Sequence, residues 1–64
     1  MLREPQEEQF RSGLEPGERV RNPDRPDWGD GQVQSVAGAR VTVNFEHAGK
    51  LLINARIVRL VPLA

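Results

Sequence analysis

The sequence has no cysteine, no tyrosine, one histidine, one tryptophan and two phenylalanines in 64 residues. Without cysteine there is no disulfide framework, thiolate nucleophile or zinc-finger site, and a single histidine cannot build a multi-histidine metal centre. So few aromatic rings argue against a methyl-lysine cage, which needs several walls, and against stacking-based capture of single-stranded nucleic acid. The longest aliphatic run, Leu51-Leu52-Ile53, is far short of the roughly 20 residues that span a bilayer. The amino terminus has no apolar leader core, so the expectation is a cytoplasmic protein with no membrane contact. Nine Lys and Arg balance nine Asp and Glu, so bulk charge cannot drive the coating of nucleic acid. No nucleophile, base and orienting partner recur together, and so short a chain has little volume for a deep pocket. The expectation is no enzyme, no catalytic residue, no cofactor and no metal.

What charge there is lies unevenly. Residues 1–18 hold five Glu against Arg3 and Arg11, whereas residues 19–64 hold seven cations against four anions, so the halves stand near −3 and +3. This predicts an acidic amino-terminal arm, residues 1–14, flexible or forming a short helix, ahead of a mildly basic module over 15–64. Pro5, the run Gln6 to Arg11, and Gly13 suit one or two helical turns, which would persist only if Leu2, Phe10 and Leu14 found a surface to pack on. The arm is expected either to stay solvated or to lie over the module's own cationic face.

From Pro16-Gly17 onward the signals are those of strands and turns. The reading is a first strand Glu18–Asn22, a loop through residues 23–31 with two prolines and two glycines, a second strand Gln32–Val36, and a turn at residues 37–39. A third strand follows at Arg40–Phe45, where Val41, Val43 and Phe45 alternate with polar neighbours. A turn at Glu46–Gly49 leads to a fourth strand, Lys50–Asn54. A 3₁₀-like link at Ala55–Ile57 precedes a fifth strand, Val58–Val61, ended by Pro62. Gly29 and Gly31 are expected to serve a positive φ or a bulge. The expected core is Val20, Val33, Val36, Val41, Val43, Phe45, Leu51, Ile53, Val58 and Leu60, with Leu52 left for the barrel's end or a binding surface. Five short, closely spaced strands predict an all-β fold, a small SH3-like barrel that is marginally stable.

Trp28, in the proline-rich loop, is either a plug for the barrel or an exposed anchor, and loop tryptophans beside arginines carry a large share of interface energy. Eight of the nine cations are arginines, which fork onto carboxylate or phosphate, and Asp24, Asp27 and Asp30 lie near enough in sequence for local salt bridges. Glu46 and His47 sit in a turn with no companions for acid–base chemistry.

Taken together, Pro16-Gly17-Glu18-Arg19-Val20-Arg21-Asn22-Pro23, Trp28-Gly29-Asp30-Gly31-Gln32-Val33, Val41-Thr42-Val43-Asn44-Phe45, Gly49-Lys50 and Leu60 resemble a bacterial Tudor-like module. They are similar to a family of small stand-alone proteins of unknown function. More distantly, they resemble the carboxy-terminal Tudor-like domain of UvrD/PcrA helicases and the polymerase-interacting domain of CarD-type regulators. The resemblance implies an adaptor in transcription or DNA repair whose protein partner is RNA polymerase or a helicase. Its expected contact residues are Arg21, Arg25, Asp27, Trp28, Arg40 and, peripherally, His47. Direct binding of nucleic acid by the arginine-bearing surface is the alternative, and weak self-association a third reading.

Overall fold

The computed structural model describes residues 11–63. Five strands form one antiparallel sheet: β1 (Arg19–Arg21), β2 (Asp30–Ala37), β3 (Arg40–Phe45), β4 (Gly49–Asn54) and β5 (Val61–Pro62). The spatial order is β4-β3-β2-β1-β5. The middle of the sheet is a meander of consecutive strands, and β5 returns to pair with β1, setting Val20 opposite Pro62 and Arg21 opposite Val61. The expected all-β class is present. β4 and β5 are the two edges and do not pair with each other, so hydrogen bonding does not close the sheet into a barrel.

The core follows from the alternation of side chains across the pleat. Val20, Val33, Val41, Val43, Phe45 and Ile53 form its buried centre, with Val36, Leu51, Val58, Leu60, Leu14 and Trp28 among the half-buried side chains packed against it. Val33 and Val36 both face inward although they stand three apart, which a regular strand forbids. The β2–β3 register shifts between Val33 and Ser35, so Gln34 is the extra residue of a bulge, and Gln34 and Ser35 are both exposed. Such a bulge also increases the local twist.

Several boundaries differ from the sequence reading for local reasons. β2 begins at Asp30 rather than Gln32, because Arg21 pairs with Asp30 and Val20 with Gly31. Gly31 has no positive φ and is not the bulged residue. Its missing side chain serves close packing instead, since a Cβ there would stand 2.6 Å from Val43 Cγ1 and 2.8 Å from Phe45 Cδ1. Residues 55–57 form a turn rather than a 3₁₀ link. The Asn54 carbonyl accepts from the N–H groups of Ile57 and Val58 at 3.0 and 2.9 Å, which keeps Val58 out of a ladder and delays β5 to Val61. Pro62 lies within β5 rather than after it. The neighbouring Leu63 N–H donates to the Arg19 carbonyl at 2.8 Å, so the proline's missing donor falls on the side away from β1. Ala39, read as turn, is buried at 2% exposure. The expected helical turns at 6–11 lie outside the described residues apart from Arg11, which is not helical. Among the described residues no helix is long and apolar enough to cross a membrane.

Candidate functional site

Asn22 organises the chain as it leaves β1. Although polar, it is buried, and its Oδ1 accepts from the Asp24 N–H at 2.9 Å while its carbonyl accepts from the Arg25 N–H at 3.0 Å. Asparagine favours such turns because its side chain mimics a backbone acceptor. Pro26 then starts a single 3₁₀ turn, Pro26–Trp28, with its ring-fixed φ in the first helical position. Gly29 ends that turn at φ +80°, and a Cβ there would stand 2.6 Å from His47 Cδ2. Only glycine fits both the backbone angle and the space.

This turn brings four of the expected contact residues together. The guanidinium of Arg25 lies over the Trp28 ring at 4.9 Å from its centroid. The same group forks onto Asp27, with Nε donating to Oδ1 at 3.1 Å and Nη2 to Oδ2 at 3.0 Å. That forked contact holds the Asp27 carboxyl below its ordinary range and raises Arg25 further. Trp28 also meets Phe45, with ring centroids 5.1 Å apart and planes tilted by 57°. Trp28 is half-buried, packed against the core through Phe45 and carrying the Arg25 guanidinium over its ring. The His47 N–H donates to the Trp28 carbonyl at 2.9 Å and the Glu46 N–H to the Asp30 carbonyl at 2.8 Å, which clamps the β3–β4 turn to this corner.

Arg21 lies at the same end of the sheet, opposite Asp30 on β2. Arg40 does not join the group. It opens β3 opposite Ala37 and Asn54, five residues and about 17 Å from Phe45 along the strand. Of the three aspartates, Asp27 binds Arg25, and Asp30 binds Arg19 at 3.5 Å. Asp24 forms no ion pair among the described residues.

Beside the corner, on the solvent face of the sheet, Arg19, Asp30, Gln32, Asn44 and Glu46 line a shallow groove of about 480 Å³. Arg19 and Asp30 form one of the local ion pairs expected between the arginines and aspartates, whereas Gln32 and Asn44 are functional candidates that sequence reasoning passed over. Their signal was the polar half of each strand's alternation, since Arg19, Gln32, Asn44 and Lys50 stand side by side across β1 to β4. Among the described residues no three His, Asp or Glu come together as metal ligands.

The edge strand β4 begins where the clamped turn ends. The Ala55 N–H donates to the Ala39 carbonyl at 2.8 Å, which sets the phase of the ladder. With Val41 opposite Ile53 and Val43 opposite Leu51 as the bonded pairs, the backbone groups of Lys50 and Leu52 point away from β3. The Leu52 side chain is 68% exposed, opposite Thr42 on the solvent face. The site is therefore a surface, made of an arginine-covered tryptophan and an open sheet edge.

The model of a family of proteins of unknown function, DUF3553, matches residues 14–63. The chain belongs to that family, and the match spans all five strands. No curated protein and no solved structure matches the chain.

Proposed function

We propose that this protein is a non-enzymatic protein-interaction module, an SH3-like, Tudor-like domain in architecture. It takes an extended segment of its partner along β4 and seats it against the Arg25–Trp28 corner. The observation that carries the reading is the open β4 edge, whose outward N–H and C=O groups at Lys50 and Leu52 continue directly from the turn clamped to Trp28. Strand addition draws affinity from main-chain hydrogen bonds and specificity from the side chains beside them. Leu52 and the forked Arg25 supply an apolar and a charged contact of that kind. The resemblance to helicase and CarD-type modules favours RNA polymerase, or another enzyme that processes nucleic acid, as the partner, in a cytoplasmic adaptor of transcription or repair.

Affinity capture from nuclease-treated host lysate, with the parent chain and a Trp28→Ala variant whose folding is verified by circular dichroism, tests this. The expected result is recovery of RNA polymerase subunits or a helicase by the parent and loss of that recovery with the variant. Recovery that disappears on nuclease treatment would transfer the function to nucleic acid. That second reading draws on Arg21, Arg40 and Lys50, which face solvent and form no ion pair among the described residues.

A further inference from the structure

The open edge of β4 carries an unequal pair of side chains. Lys50 and Leu52 stand two residues apart on the solvent face, and both are exposed. Between them Leu51 points to the other face, where it is half-buried against the core. Lys50 forms no ion pair among the described residues, and its neighbour on β3 is the neutral amide of Asn44. A lysine on an edge strand opposes indiscriminate pairing with other strands. A strand that brings a carboxylate to it is exempt, because opposite charges directly across a ladder attract while like charges repel.

We infer that the partner segment added to β4 carries an acidic side chain opposite Lys50 and large apolar side chains opposite Leu51 and Leu52. The inference rests on the strand-addition reading and specifies the chemistry of its partner. Every ladder of this sheet is antiparallel, and sheets of one kind are favoured over mixed ones, so the added strand runs against β4. From its amino end it therefore reads apolar, apolar, acidic, and it leaves β4 at Gly49, beside the turn clamped to Trp28. The residues opposite Leu52 and Lys50 exchange main-chain hydrogen bonds with the outward groups of those two, and their side chains share the solvent face. The residue between them faces the core side and lies against Leu51 in the closer, non-bonded pair. The whole chain has no net charge, so the preference for a carboxylate is local to Lys50. Leu52 selects an apolar neighbour, and Lys50 rejects a cationic one.

The test titrates the full ¹⁵N-labelled chain with a synthetic peptide blocked at both ends, Ser-Thr-Thr-Ile-Val-Glu-Thr-Ser, to several millimolar. Its isoleucine, valine and glutamate are placed for Leu52, Leu51 and Lys50. The amide signals of Lys50 and Leu52 should shift most. Replacing the peptide's glutamate by lysine should weaken binding by at least about twofold. Lys50→Glu, with folding verified by circular dichroism, should invert that preference, and the reversed peptide Ser-Thr-Glu-Val-Ile-Thr-Thr-Ser should bind the parent chain more weakly. Equal affinity for the glutamate and lysine peptides, or a preference that Lys50→Glu leaves unchanged, would overturn the acidic assignment while strand addition stood. Tighter binding of the reversed peptide would overturn the antiparallel order. Shifts confined to Arg19, Gln32 and Asn44, or none with any peptide, would overturn the inference together with strand addition.

Discussion

Gly31→Ala tests the packing on which the corner rests. A Cβ at this position meets Val43 Cγ1 at 2.6 Å and the Phe45 ring at 2.8 and 2.9 Å, far inside van der Waals contact. Neither neighbour can swing into solvent, because Val43 is 0% and Phe45 2% exposed. Overpacking of this kind costs about 1–3 kcal/mol, offset by the roughly 0.5–1 kcal/mol that alanine gains over glycine in a strand. A net loss of about 1–2 kcal/mol is expected, a large part of the about 3–5 kcal/mol available to a core this small. The midpoint of thermal unfolding should fall by about 4–8 °C for each kcal/mol. Trp28 is the only tryptophan and there is no tyrosine, so intrinsic fluorescence in a urea titration reads one ring that itself packs on Phe45. In a double-mutant cycle with Phe45→Leu, the two changes should couple by at least about 0.5 kcal/mol, because the smaller side chain relieves the clash. A Gly31→Ala protein as stable as the parent, or one whose loss is independent of Phe45, would refute the close-packing account.

Two proline substitutions separate the faces of β4's backbone. Leu52→Pro removes an outward N–H and should leave the thermal midpoint within a few degrees while abolishing strand addition. Leu51→Pro removes a donor to β3 and should destabilise by about 3 kcal/mol, read by urea denaturation. The Arg25–Asp27 fork gives a pH dependence of known sign. Asp27 is held below its ordinary value of 3.8, so the contact is fully present above that value and is lost as pH falls through the lower folded-state value. Trp28 emission should therefore be flat from pH 7 to about 5 and change below about 4, and Asp27→Asn should remove that acid limb. If the solvent face bound nucleic acid through Arg21, Arg40 and Lys50, log affinity would fall with log salt at a slope near −3 for double-stranded DNA. The protein-binding account predicts a shallow slope and strong sensitivity to Trp28→Ala.

β3 was legible in full, since Val41, Val43 and Phe45 alternate without interruption and both flanking turns are short. Val33 and Val36 were both placed in the core, and the bulge this demands was looked for at the glycines instead. Two inward valines three apart require an extra residue between them, and only the register with β3 identifies it as Gln34. β5 was misplaced because Val58 to Val61 has the composition of a strand, while the Asn54 carbonyl, a main-chain acceptor with no sequence signature, bends that stretch into the preceding turn. The burial of Ala39 was hidden for a similar reason: alanine is small enough to suit a turn, and only the return of β4, which places Ala55 against Ala39, encloses it. In the candidate site, the proximity of Arg25, Asp27 and Trp28 could be read from their spacing. The clamp from His47 is a long-range contact fixed by hairpin length. Arg40 was grouped with them by residue type, and strand direction places it at the far end of the sheet.

Hydrogen exchange on the full chain, free and in complex with whatever protein partner capture recovers, tests the central claim most directly. The account predicts that the amides of Lys50 and Leu52 exchange rapidly in the free protein and become protected in the complex, while Leu51 and Ile53, already bonded to β3, change little. Unchanged exchange at Lys50 and Leu52, with new protection confined to residues around Arg21 and Arg40, would contradict it.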